Sequence, residues 1–341
     1  MLSNELQTLF NKEFKGEAKV SKLSADLRGK VIVVYGSNNL GKTLQASRMK
    51  NPVFMPFEKG MNGVHGAMVL TTRSWSQARK HAKKLAGKNF VKLLQQGEQI
   101  TLIIDGIENV GRYCREYVAS KYDARDIASA KGGYGAWQPY EDEMHSWVDS
   151  IISLGYTVMF LGHESYDKDK DKYTIKGDKR NIDPIKDNAD IVIYLQSNGV
   201  DENGNEIPSS GYLAETKDFF ARSRFTCMDT VIPEYTAENL EKVIVEGIQR
   251  EIDEKGLESV SFDEQQEIYE TEDMSLEEIK EAIKEKYLAL EEIGEEELDK
   301  YGEIVEEHLG DVTVSEATSK QLEALKCILD DLEDLLEELE E

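Results

Sequence analysis

The chain of 341 residues carries 67 acidic against 41 basic side chains, a formal charge of −26, with 40% hydrophobic and 32% charged residues. That length buries a sizeable core and holds one large α/β domain plus a smaller element. No apolar run approaches the ~20 residues that span a bilayer, the N-terminus lacks a signal-peptide core, and the scattered Cys114, Cys227 and Cys327 point to a reducing, cytoplasmic setting rather than to disulfides or zinc.

The charge is unevenly spread. Residues 1–233 hold 32 Lys and Arg against 29 Asp and Glu, a net of +3, whereas residues 234–341 hold 9 against 38, a net of −29. A mildly basic core with an acidic appendage fits polyanion binding; a solubilising tail fits the same count.

In chain order, residues 1–16 read as an amphipathic helix with Leu2, Leu6, Leu9, Phe10 and Phe14 on one side, able to pack on its own core or on a neighbouring subunit. Val31 to Tyr35 form a buried strand that runs into Gly36-Ser37-Asn38-Asn39-Leu40-Gly41-Lys42-Thr43, which fits G-x-x-x-x-G-K-[ST] at every fixed position. Gly36 supplies the backbone freedom to end the strand. The loop then aims its N–H groups inward, and a helix over 44–49 adds its positive end. Lys42 reaches the β- and γ-phosphates and the Thr43 hydroxyl suits Mg²⁺. ATP and Mg²⁺ are therefore the expected ligands, and hydrolysis the expected activity.

Pro52 to Phe57 is a short apolar strand that delivers Glu58. Ser74 to Gly97 is a basic helical stretch, read as a solvated face. Gln99 to Ile104 is a buried strand ending in Asp105, where a carboxylate reaches the Mg²⁺ shell beside Thr43. Gly106 and Ile107 follow Asp105, so the water-activating acid is not its neighbour. Glu58, at the end of an adjacent strand, becomes the candidate base.

Ile107–Lys121 is a helix, Asp123–Tyr140 a glycine-rich loop with Tyr134, Trp137 and Tyr140, and Glu141–Leu154 another helix. The strand Tyr156–Gly162 ends in His163-Glu164, and the imidazole at that edge could bond a γ-phosphate oxygen. Ser165–Asp187 reads as a long polar loop, functional or disordered. Strands follow at Ala189–Gln196, near Tyr212 and near Met228–Ile232. From Pro233 onward the chain is helical: 237–252, 275–293, 296–309 and 318–339. Its stripe Leu322, Leu325, Ile328, Leu329, Leu332, Leu335 and Leu336 suits a small bundle or a subunit contact.

The succession of P-loop, strand-end Glu58, Asp105, strand-end His163 and a late basic group resembles the RecA-like recombinase fold. Gly132-Gly133-Tyr134-Gly135 with Trp137, and Phe160-Leu161-Gly162-His163-Glu164, are more narrowly similar to the phage-type RecA-like ATPases of single-strand annealing and recombination. The resemblance implies an α/β core over 28–233 with a mainly parallel sheet flanked by helices; the lead-in over 1–27 and the acidic helical region over 234–341, far longer than the family's short acidic tail, are read from the residues themselves. It implies Glu58 as catalytic glutamate, Asp105 as Mg²⁺-shell acid and His163 as γ-phosphate sensor. The Asp123–Tyr140 and Glu164–Asp187 segments would be the DNA-binding loops. Lys217, with Arg222 or Arg224, would reach a neighbour's ATP across a subunit interface.

Three functions are weighed. In the first, an oligomeric ring or filament in the host cytoplasm acts on single-stranded DNA, beside a single-strand-binding or replication protein. Lys131, Lys168, Lys170, Lys172, Lys176, Lys179 and Arg180 neutralise phosphates, and Tyr134, Trp137 and Tyr173 stack on bases. The near balance of charge in 167–183 counts against it. The second is a helicase loader or packaging-type motor; the third is a nucleotide-gated scaffold without turnover.

Overall fold

Six consecutive residues, Val31–Gly36, form β1 at the centre of the sheet, and every one is buried. In this computed structural model, which describes residues 3–14, 18–268 and 274–340, β1 pairs in parallel with two later strands. These are β5 (Thr157–Asp167) on one side and β7 (Ile191–Gln196) on the other. Beyond β5 come β4 (Thr101–Asp105), β2 (Pro52–Pro56) and the short β3 (Met68–Val69), all parallel. Beyond β7 the sheet turns antiparallel, through β8 (Ser210–Tyr212) and β10 (Val231–Ile232). β9 (Arg222–Ser223) pairs with the start of β7, and β6 (Lys172–Ile175) folds back on the end of β5.

A parallel sheet is covered on both faces, which explains runs of Val and Ile without polar alternation. Val31, Val33 and Tyr35 enter one core with α3 (Trp75–Leu85), α5 (Ile107–Ser120) and α6 (Trp137–Ile152). Ile32 and Val34 enter the other, with α8 (Ala237–Lys255). The remaining helices of the first unit are α1 (Asn4–Glu13), α2 (Lys42–Ala46), α4 (Lys88–Gln95), α7 (Lys179–Asn188) and α9 (Phe262–Gln266). Arg28 ties α9 to the lead-in of β1. Its guanidinium pairs with Asp26 at 2.7 Å and Asp263 at 3.1 Å, and lies 5.1 Å from the Phe262 ring centre.

The chain divides into two units, Met1–Tyr269 and Glu270–Glu341. The acidic helical region expected from residue 234 begins in the first unit, where α8 buries Leu240, Ile244 and Ile248 in the core beneath the sheet. The second unit consists of α10 (Leu276–Ile293), α11 (Glu295–Leu309) and α12 (Leu322–Glu340). Ser275 and Glu278 close a capping box at the start of α10. The leucine stripe of α12 packs on Ile279, Ile283 and Leu290 within this unit. Among the described residues no helix is long and apolar enough to cross a membrane.

Four local expectations need correction. Residues 74–97 are two helices, broken where Gly87 takes an extended conformation (φ −72°, ψ 149°) so close to the Lys84 carbonyl oxygen that a Cβ would stand 2.9 Å from it. Trp137 and Tyr140 begin α6 instead of lying in a loop, and Tyr140 is wholly buried. His163 and Glu164 do not end their strand, since β5 runs on to Asp167. The 165–187 segment is therefore no loop: it is a hairpin of β5 and β6 followed by α7, its strand period masked by alternating Lys and Asp.

Candidate active site

Register alone brings the candidate residues to one edge. Gly36 of β1 pairs with His163 of β5, while Asp105 of β4 pairs with Leu161 of β5 and with Pro56 of β2. Glu58 lies two residues past Pro56, as His163 lies two past Leu161. Ligands of parallel sheets bind at this carboxyl edge.

The loop between β1 and α2 is held by its apolar residue. Leu40 is buried in the core beneath the sheet, and the flanking Asn39 (φ 62°) and Gly41 (φ 82°) adopt the left-handed conformation that brings it there. A Cβ on Gly36 would stand 2.7 Å from the Leu195 carbonyl oxygen and 3.0 Å from Leu40 Cδ1. Ser37, Asn38 and Asn39 are exposed. The helix that follows has only five residues, shorter than the sequence implies, so it adds little dipole; the loop and Lys42 dominate.

The Lys42 ammonium curls over its own loop, donating to Gly36 O at 2.9 Å and to Ser37 O at 2.6 Å. Burial lowers its pKa, against the pull of Asp105, Glu108, Glu164 and Glu58. Thr43 Oγ1 donates to Asp105 Oδ2 at 2.8 Å. Asp105 is only 4% exposed; burial pushes its carboxyl up to about 6, the Thr43 bond opposing and Glu58 adding to the rise. Glu58 is half-buried and accepts from Asn109 Nδ2 at 3.4 Å. It packs where Gly106 has no side chain, since a Cβ there would lie 3.0 Å from Glu58 Oε2.

Two acids were given no role at the phosphate site by the sequence. Glu108, in the first turn of α5, bonds His163 Nδ1, and Glu164 accepts from the Ser37 hydroxyl. Glu108 Oε2 and Glu164 Oε2 are both buried without a hydrogen-bond partner. The adjacency of Glu164 to His163, and of Glu108 to Asp105-Gly106, was the available signal. Four carboxylates thus surround one ammonium. A polyphosphate is repelled by such a set unless a cation enters with it, and the Thr43–Asp105 pair is the hard-oxygen donor set that suits Mg²⁺.

Arg222 and Arg224 are not brought to this loop. Arg222 donates to the carbonyls of Lys186, Asp187 and Ala189 at 2.9–3.0 Å. Arg224 donates to Asp187 O at 2.8 Å and pairs with Asp190 at 3.6 Å. Both lie by the start of β7, and Asp190 accepts from Val31 N at 2.8 Å, so they mark the opposite edge of the sheet from the P-loop. Lys217 is exposed in the turn before β9.

A row of aromatic side chains runs from β1 across β7 to the β5–β6 hairpin. Ring centres run from Tyr35 to Tyr194 (5.2 Å), to Tyr173 (6.2 Å) and to Tyr166 (5.2 Å), the last two exposed on the hairpin. Tyr134 is 92% exposed in a glycine-rich turn, and the Arg180 guanidinium lies 5.0 Å over the Trp137 ring.

A model of the AAA domain family matches residues 28–225. The chain is 43% identical over 321 residues to the SPbeta prophage-derived uncharacterized protein YorG of Bacillus subtilis (strain 168), covering 94% of this chain and 98% of that one. Among solved structures, a prototypical ATPase from the type III secretion system of pathogenic bacteria aligns over 89% of this chain and 81% of its own, at 13% identity and a TM-score of 0.38, too loose a likeness to carry an argument.

Proposed function

The chain belongs to the AAA domain family of P-loop ATPases, with a prophage protein among its relatives, and on that premise we propose a RecA-like motor that hydrolyses ATP with Mg²⁺ on single-stranded DNA. Its setting is phage recombination, annealing or replication in the host cytoplasm. The observation that carries the hydrolytic part is the pair of carboxylates whose charges both act on Lys42: Asp105, bonded to Thr43, and Glu58, seated on Gly106.

In this reading Gly36 to Thr43 cradle the phosphates, and Lys42 leaves the two carbonyls it now bonds to follow the β- and γ-phosphates. Thr43 and Asp105 hold Mg²⁺, whose charge offsets that of the polyphosphate and of the surrounding acids. Glu58 orients the attacking water and accepts its proton. His163, with Nδ1 turned to Glu108, keeps Nε2 for a γ-phosphate oxygen.

The DNA-binding part is supported by the exposed rings of Tyr134, Tyr166 and Tyr173 and by the adjacent Lys131, Lys168 and Lys170, a mix of stacking faces and phosphate partners; Lys172 is already paired with Glu215. The hairpin that carries two of these rings is the continuation of the strand that carries His163. Lys217, exposed in the turn before β9, is the residue we assign to completing a neighbour's site in a ring or filament. Arg222 and Arg224 are already engaged by backbone carbonyls at the opposite edge of the sheet.

ATP turnover in Mg²⁺ buffer, measured with and without single-stranded DNA, tests the proposal. Stimulation by single strands is the expected result. Turnover that requires duplex or a partner protein would make the chain a loader or packaging motor, and binding without turnover would make it a nucleotide-gated scaffold.

A further inference from the structure

His163 has two ring nitrogens, and one is already taken. Nδ1 bonds Glu108 Oε1, from the first turn of α5, while the other oxygen of the same carboxylate is buried with no partner. Resting on the ATPase reading above, we propose that Glu108 is a positioning residue, which fixes the His163 ring with Nε2 toward the P-loop and keeps it a charged donor for the γ-phosphate.

Besides adding to the negative charge around Lys42, Glu108 spends its one side-chain hydrogen bond among the described residues on this task. β1 and β5 pair through Gly36 and His163, so the ring starts from the level at which the P-loop begins. Among the described residues Glu108 has no side-chain donor other than His163. A carboxylate at Nδ1 settles which nitrogen faces the ligand, because an ionised acid accepts only.

The charges around the ring come from four elements. Glu108 from α5 and Glu58 from the segment after β2 favour the imidazolium, Lys42 from α2 opposes it, and Asp105 from β4 lies within their field. The bond to Glu108 is the largest influence on His163 and raises its pKa, partly offset by burial. Glu108 is held low by His163 and by Lys176, against its own burial. The imidazolium therefore persists to a higher pH than a free histidine would allow. Its donor is lost as pH rises through the raised value.

The titration of His163 in the nucleotide-free protein decides the matter without any turnover. Its NMR signal is identified by its absence in His163→Gln, and its midpoint is expected to fall in Glu108→Gln. The alkaline limb of kcat for Mg²⁺-ATP hydrolysis should move to lower pH in Glu108→Gln and vanish in His163→Gln. At pH 8 kcat should fall roughly tenfold in Glu108→Gln, the loss of about one charged hydrogen bond, with KM nearly unchanged. Glu108→Asp, which keeps the charge, should hold the midpoint near that of the unaltered protein and serves if the glutamine variant does not fold. An unmoved midpoint, or a lower kcat with an unshifted pH limb, overturns the proposal. Absence of turnover in the unaltered protein would defeat the ATPase reading instead and leave the titration to speak for the pair.

Discussion

Glu58 is seated on Gly106. The carboxylate reaches from beyond β2 into the space that a side chain at residue 106 would fill, and a Cβ there would stand 3.0 Å from its Oε2. The residue after Asp105 is thus small because the acid of the neighbouring strand occupies its place. Gly106→Ala should displace Glu58 and lower kcat, whereas Glu58→Gln should lower it by a factor of about a hundred or more with ATP binding retained. Steady-state kinetics beside equilibrium nucleotide binding separates the two effects; full activity in Gly106→Ala would mean that the base stands elsewhere.

Asp105 links the site to stability. The folded chain holds this proton up to about pH 6, above the ordinary carboxylate value of 3.8. Between those values the folded state binds more protons than the unfolded one, so stability falls as pH rises, and above pH 6 the ionised group costs on the order of 2–3 kcal/mol. Asp105→Asn should therefore raise the melting temperature at pH 8 and change it little at pH 4, while hydrolysis is lost. An equal effect at both pH values would contradict the assignment to burial.

Glu164 occupies a hydroxyl of the loop that phosphate must enter. With Ser37 bonded to it and its second oxygen unpartnered, the carboxylate competes with an incoming anion. Glu164→Gln should tighten ATP binding by roughly threefold to tenfold, about 1 kcal/mol. Lys42→Ala should weaken it and abolish turnover. Fluorescent-nucleotide titration reads both variants, and unchanged affinity in Glu164→Gln would show that the acid moves away at no cost.

Truncation discriminates between the two places at which the acidic region can be cut. Removal after residue 233 strips α8, whose Leu240, Ile244 and Ile248 are fully buried, and each such side chain is worth roughly 2–5 kcal/mol. That fragment should not fold. Removal after residue 268 leaves the first unit with its core intact and should preserve a cooperative melt and nucleotide binding. Stronger binding of single-stranded DNA at low salt by the longer fragment would make the acidic unit a competitor for the basic surface.

Stacking on DNA is tested by Tyr134→Ala, Tyr166→Ala and Tyr173→Ala. Each ring that stacks on a base should cost about 1–3 kcal/mol of single-strand affinity. Anisotropy with a labelled oligonucleotide measures this, and undiminished binding in all three would remove the hairpin and the glycine-rich turn from the interface.

Legibility in the sequence followed contiguity. The phosphate loop, Asp105 and the strand leading to Glu58 were readable because their chemistry needs adjacent residues and an apolar run. Glu108 and Glu164 were not, since their roles depend on which strands pair: Glu108 meets His163 only because β4 lies beside β5. The β5–β6 hairpin escaped because its alternation is short, Tyr173 and Ile175 against Lys172 and Thr174, and follows a run of alternating Lys and Asp. Arg222 and Arg224 looked like free cations, and only the fold shows them spent on the carbonyls around the end of α7.

The eleven residues of β5 lie in two environments. Thr157 to Leu161 are buried between neighbouring strands, where a change of one methylene is felt by both cores, whereas Tyr166 and Asp167 stand beyond the sheet, paired only with β6. Residues of the hairpin tip can therefore vary without disturbing the edge that carries the phosphate loop, so the exposed hairpin surface and the nucleotide edge are free to change on separate schedules.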